Sequence, residues 1–120
     1  MPFQYLLTNL LVDVPGALGA VFMDPDGESI ELVSRRATPY GLKIEGAYHG
    51  IFLRRAARLA QVAGSGEICQ VAVAGRDMKV VSQQLRGGYY VVLALDPDAP
   101  TSIAMRVLER SRDAFDREIP

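Results

Sequence analysis

ICQVAVAGRDMKVVSQQLRGGYYVVLAL, residues 68–95, decides the fold, because it holds three apolar runs with no room for a helix between them. Ile68 to Ala74, Met78 to Leu85 and Tyr89 to Leu95 are of strand length, and Gly75-Arg76-Asp77 and Arg86-Gly87-Gly88 are turn formers. Strands joined by turns this tight run antiparallel, which excludes the crossover units of a doubly wound sheet. Downstream, Asp96-Pro97-Asp98-Ala99-Pro100 leads into a helix, with Asp98 its expected N-cap and Pro100 in its first turn. Ile103, Ala104, Val107, Leu108, Ala114 and Phe115 share one face of that helix. Upstream, a long helix opens at Thr38 or Pro39, continues to about Val62 and ends at Ala63-Gly64-Ser65-Gly66. Ahead of it, Ala17 to Met23 and Ser29 to Ser34 flank the turn Asp24-Pro25-Asp26-Gly27 as a hairpin. Phe3, Leu6, Leu7, Leu10 and Leu11 form the stripe of a first helix, stopped by Pro15-Gly16. The predicted order is αββαβββα, an α+β domain over residues 1–120 with a five-stranded antiparallel sheet and helices on both faces.

At 120 residues, 49% hydrophobic and 22% charged, the chain can bury one core of its own. A net charge of −1 excludes a globally basic nucleic-acid binder, and Tyr40, Tyr48, Tyr89 and Tyr90 do not interleave with basic residues in any RNP-like motif. The charge is uneven along the chain. Only the acidic Asp13, Asp24, Asp26, Glu28 and Glu31 precede Arg35, whereas Arg35, Arg36, Lys43, Arg54, Arg55, Arg58, Arg76, Lys79 and Arg86 dominate the middle. With the outer helices on one face of the sheet and the long helix on the other, the second face is expected to be basic and the first acidic. Cys69, the single cysteine, has no disulfide or CxxC partner. Residues 2–12 lack the basic flank of a secretory signal, and no stretch is long and apolar enough to span a bilayer. A cytoplasmic protein without membrane contact is expected.

No catalytic pattern assembles. His49 falls inside the long helix and reads as a surface or interface histidine, whereas Cys69 falls in a strand and reads as a buried small hydrophobe. Asp24-Pro25-Asp26-Gly27-Glu28 starts like a calcium loop, but the twelfth position holds Arg35 instead of a bidentate Glu, leaving a hairpin turn. Gly64-Ser65-Gly66 lacks the Gly-Lys-Ser/Thr of a phosphate loop. Asp96 and Asp98, beside Pro97 and Pro100, suit a helix start better than an acid pair. The expectation is a non-enzyme with no cofactor and no metal.

The long helix carries the interaction signal. At 100° per residue, Gly46, Gly50, Leu53, Ala57 and Ala60 occupy one arc, and Ile44, Tyr48, Ile51, Phe52, Leu59 and Val62 a wider apolar arc beside it. One stripe suffices to pack on a sheet. The small-residue arc is therefore expected to meet a second chain, since small residues permit close backbone approach. Gly46, Gly50, Leu53, Arg54, Ala57, Arg58 and Ala60 are the expected dimer or partner interface. The other reading, that the glycines seat the helix on its own sheet, stays open.

The element order, the segment VPGALGAVFMDPDGESIEL from Val14 to Leu32, and a Gly19-x-x-x-x-Asp24-x-x-Gly27 spacing resemble the roadblock/LC7 family over about Phe3 to Phe115. The resemblance implies a homodimer or heterodimer, and bacterial members similar to this chain pair with a small Ras-like GTPase of the gliding-motility type. It implies a non-catalytic co-regulator that holds the GTPase switch segments, with an arginine finger from Arg54, Arg55 or Arg58 as a lesser route. Two other functions fit the same chain: an adaptor dimer without a GTPase client, and a small-molecule sensor using Ser82, Gln70 and Gln84.

Overall fold

The computed structural model describes residues 2–35 and 40–120, Tyr40 by its backbone alone. The chain runs α1 (Pro2–Asp13), β1 (Ala17–Met23), β2 (Ser29–Ser34), α2 (Tyr40–Ala63), β3 (Gln70–Ala74), β4 (Lys79–Gln84), β5 (Tyr90–Leu95) and α3 (Thr101–Glu118), with a single 3-10 turn at Arg86–Gly88. The order αββαβββα is the one expected. The helix start read at Thr38 or Pro39 lies outside the described residues. Pro100, not Asp98, stands at the N-cap of α3. The turn before it is closed locally instead, with the Asp98 amide donating to Asp96 Oδ1 at 3.0 Å.

All five strands are antiparallel in the order β2-β1-β5-β4-β3. The first hairpin closes on Asp24, whose Oδ1 accepts from the amides of Asp26 at 2.9 Å and Glu28 at 3.0 Å while Gly27 takes φ 86°. The central ladder joins the two ends of the chain, pairing Ala20 with Leu93, Val21 with Val92 and Phe22 with Val91. Every residue of β5 is buried, as a strand covered on both faces requires.

Alternation along the strands divides two cores. On one face, α1 and α3 pack over Phe22, Val81, Val91, Leu93 and Leu95 through Leu7, Leu10, Leu108 and Phe115. Phe22 is the hub, with its ring stacked 4.0 Å from Phe3, 5.7 Å from Tyr89 and 6.0 Å from Phe115 between centroids. On the other face, α2 is the one helix among the described residues that covers Val21, Met23, Val80, Tyr90, Val92 and Ala94. The second core is thinner, since Leu42 and Leu53 are the large apolar residues that α2 adds to it. No helix among the described residues is long and apolar enough to cross a membrane.

Candidate functional site

Two bulky side chains on the sheet dictate how α2 lies. Tyr90, fully buried, rises from β5 and donates its phenol to the Gly46 carbonyl at 2.9 Å. Met23 rises beside it from β1. A Cβ on Gly46 would stand 2.9 Å from Met23 Sδ and 3.2 Å from Val21 Cγ1, and one on Gly50 would stand 2.9 Å from Tyr90 Cζ. Glycine at both positions lets the helix sit down on this ridge. Burial pushes the Tyr90 phenol up from its ordinary pKa, against the pull of the Arg54 charge.

This geometry corrects the expected interface. Gly46, Gly50 and Leu53 are buried against the domain's own sheet and Ala60 is buried within the domain, so these four do not face a second chain. Ala57, Arg54 and Arg58 are exposed. The two arcs of α2 have exchanged roles, because the ridge of Tyr90 and Met23 takes up the space that large helix side chains would need. Ile44, Tyr48, Ile51, Phe52, Leu59 and Val62 therefore point away from the sheet, with Tyr48 55%, Leu59 70% and Val62 86% exposed. So many large apolar residues on one exposed helix face mark an interaction surface.

The same helix packs on an outer strand, β3. Gln84 N donates to Cys69 O at 2.8 Å and Gly75 N to Met78 O at 2.9 Å, which fixes the alternation along β3. Cys69, Val71, Val73 and Gly75 bond towards β4, and Gln70, Ala72 and Ala74 turn their N–H and C=O groups outward. β3 has no charge and no proline, the usual guards of a sheet edge. Val73, 44% exposed, shares the α2 side of the sheet with Val80, its cross-strand partner.

Arg54, Arg55 and Arg58 surround Ile51 on the second half of α2, and none of the three makes an ion pair among the described residues. The acidic turn of the first hairpin does not lie on the opposite face as expected. Its Pro25 borders the same small cavity as Arg54, Gly88 and Tyr90, so acid and base adjoin at one end of the domain.

The two chemically versatile residues also depart from expectation. Cys69 is exposed rather than buried, because it precedes β3 at the uncovered end of the sheet. His49 lies wholly inside the domain, its Nδ1 3.0 Å from Ser82 Oγ. The polar strand residues considered for a sensor are spent on structure. Ser82 meets His49, Gln70 donates to Gln83 at 2.8 Å and to the Met105 carbonyl at 2.7 Å, and Gln84 donates to the Tyr89 carbonyl at 2.9 Å. A cavity of about 140 Å³ under the start of α2, lined by Leu18, Leu42, Glu45, Met78 and Ala94, receives none of them. No group of three or more His, Cys, Asp and Glu able to hold a metal occurs among the described residues.

No family model matches the sequence, and no curated protein matches it significantly. Solved structures do match the fold. MglC from Myxococcus xanthus superposes with a TM-score of 0.73 at 25% identity, covering 99% of this chain and 100% of that one. The gliding protein MglB from Thermus thermophilus gives 0.84 at 19% identity over 97% of this chain and 87% of its own, and MglB has also been solved in a tetrameric arrangement. A Roadblock/LC7 domain from Streptomyces avermitilis gives 0.72 at 17% identity, covering 93% of this chain and 96% of that one. With these superpositions covering 93–99% of the chain, and with five antiparallel strands and three helices in the order αββαβββα, the chain has the roadblock/LC7 fold.

Proposed function

We propose that this domain is a non-catalytic homodimer that binds a small Ras-like GTPase and adjusts its nucleotide cycle by contact. The observations that carry the reading are the exposed apolar stripe of α2 and the unguarded edge of β3, the outer strand on which α2 also packs. A twofold axis through β3 would pair the outward backbone groups of Gln70, Ala72 and Ala74 with those of a second copy and bring the two stripes together. Such an isologous contact covers the exposed apolar surface, with Arg55 inside the stripe and Arg54 and Arg58 along its border beside Ile51. There, paired clusters of Arg54, Arg55 and Arg58 offer a basic platform to an acidic surface of the GTPase. The similarity to MglC and to the gliding protein MglB supports a client in the same class. The domain would act by stabilising one arrangement of the GTPase switch segments, with no nucleophile of its own.

Sedimentation velocity tests the dimer, and GTP turnover by the Ras-like GTPase encoded nearest its gene tests the client. Leu59→Glu with Val62→Glu should leave a folded monomer. Arg54→Glu with Arg58→Glu should leave a dimer that no longer alters GTP turnover. A 13.1 kDa species alone at high micromolar concentration would refute the homodimer. Unaltered turnover by an intact dimer would instead favour the adaptor.

A further inference from the structure

His49 Nε2 is the one buried side-chain nitrogen or oxygen without a hydrogen-bond partner among the described residues. Buried polar atoms are rarely left this way, and each such atom needs a reason. Along α2, His49 falls between Leu42 and Leu53, the large apolar residues by which the helix grips the sheet, and between Gly46 and Gly50, which offer the sheet no side chain at all. It is therefore the central support of a thin seat.

The contacts of the ring reach both parts of the proposed association face. Its Nδ1 lies 3.0 Å from Ser82 Oγ, and that hydroxyl lies 3.3 Å from the Val71 carbonyl of β3. A carbonyl only accepts, so the arrangement satisfying both contacts has Ser82 donating to Val71 and accepting from Nδ1–H. The imidazole is then neutral, with a bare lone pair on Nε2. On its other side the ring meets Phe52 edge to face, with centroids 5.1 Å apart and planes at 68°. Phe52 belongs to the exposed stripe, and Val71 belongs to the outer strand.

We propose that His49 is a proton-sensitive seat for α2, holding the stripe and the outer strand in one continuous association face while neutral and releasing that face when protonated. The link to association rests on the homodimer reading; the seat itself does not. A proton on Nε2 places a donor and a full charge where nothing accepts them, so the helix must lift to let water in. Burial is the cause that holds the imidazole pKa down, from 6.5 to about 4.

The surroundings offer no compensating charge on the sheet. Lys79, the charged residue of β4, is turned to the other face and donates to the Ala99 carbonyl at 3.0 Å. Tyr90 is the titratable group of β5 facing α2, raised from its ordinary value, and Cys69 precedes β3. On α2 itself, half-buried Glu45 lies one turn before His49, while Lys43, Arg54, Arg55 and Arg58 are exposed. Glu45 is thus the one carboxylate placed to soften the effect.

The test follows self-association by sedimentation and amide protection of α2 by hydrogen exchange, on the full chain at constant salt from pH 8 to pH 5. The seated form should lose roughly thirty-fold in its equilibrium constant over that interval, the ratio set by an imidazole of pKa 6.5 when released and about 4 when seated. His49→Asn keeps a donor for Ser82 Oγ and cannot titrate. His49→Phe keeps the ring against Phe52 and cannot titrate either. Both variants should be flat over the range in which the wild type falls, compared at each pH to remove the intrinsic exchange rate, and Glu45→Gln should steepen the wild-type response. A wild type without the step, or variants that retain it at full size, would overturn the seat. If the wild type is monomeric throughout, the homodimer reading fails, and α2 protection alone decides the seat: loss in the wild type and not in the variants upholds it, equal loss in all three defeats it.

Discussion

Gly50→Ala is an informative substitution because helix propensity and packing push it in opposite directions. On an exposed helix face, alanine in place of glycine stabilises by about 1 kcal/mol. At Gly50 the new Cβ would stand 2.9 Å from Tyr90 Cζ and 3.3 Å from Cε1, inside the normal contact distance of a fully buried ring. Moving that ring, or lifting α2 from it, costs about 1–3 kcal/mol of overpacking. It also weakens the 2.9 Å bond from the Tyr90 phenol to the Gly46 carbonyl, worth about 1 kcal/mol. The net expectation is a loss of about 1–3 kcal/mol, a fall in Tm of roughly 4–12 °C for a domain of this size. Differential scanning fluorimetry backed by urea melts would measure it. Tyr90→Phe removes the phenol oxygen and its bond, so in the double variant part of the loss at Gly50 should vanish, with a coupling of about 0.5–1.5 kcal/mol. A Gly50→Ala protein more stable than the wild type, or strict additivity with Tyr90→Phe, would mean that the glycine does not lie on the tyrosine and that α2 is seated otherwise.

Ala57→Arg, two turns along the same arc but at an exposed position, should melt within about 0.5 kcal/mol of the wild type, whereas Gly50→Arg should fail to fold at ordinary temperature; a circular dichroism melt of each checks the contrast. Ala72→Pro removes an amide that points outward from β3, so it should abolish dimerisation with little loss of monomer stability, read by sedimentation and a thermal melt together. Phe22→Ala empties the hub of the aromatic stack and should cost about 3–5 kcal/mol in a urea titration. Overall stability should decline as pH falls through 6.5 towards about 4, because His49 is neutral in the fold and takes a proton when unfolded. The loss, about 3 kcal/mol in all, should disappear from pH-dependent urea midpoints of His49→Asn.

The fold was legible because strand and turn signals are local. Gly75-Arg76-Asp77 and Arg86-Gly87-Gly88 announce antiparallel neighbours whatever else the chain does, and Ala17 to Met23 reads as a strand from its own residues. The role of α2 was half legible. Both arcs could be drawn from the 3.6-residue period, but choosing which one faces the sheet requires knowing what the sheet presents, and Tyr90 and Met23 lie far from Gly50 and Gly46 in sequence. Given that ridge, the small arc is the one that fits. Cys69 illustrates the same gap from the other side. Its residue type favours burial, yet its place at the start of an outer strand, set by sheet order rather than composition, leaves it exposed. His49 carries no sequence signal that separates a buried histidine from a surface one, and only the position of Ser82 across the helix–sheet gap identifies it.

The sheet order has a consequence for how the chain reaches its fold. β5 is the last strand to be synthesised, yet it occupies the middle of the sheet and pairs with β1, the first. The hairpin of β1 and β2 must therefore wait, with one edge of β1 unpaired, until residues 90–95 arrive more than sixty positions later. The meander of β3, β4 and β5 closes through short turns and can form at once. Folding should proceed by docking a preformed C-terminal meander onto a waiting N-terminal hairpin, with the rate set by closure of that long loop. During the wait, the unpaired edge of β1 and the outward edge of β3 are open together on one nascent molecule. The period of greatest vulnerability to mispairing between copies thus falls before the central ladder forms, while the edge proposed for the dimer can still be captured out of register.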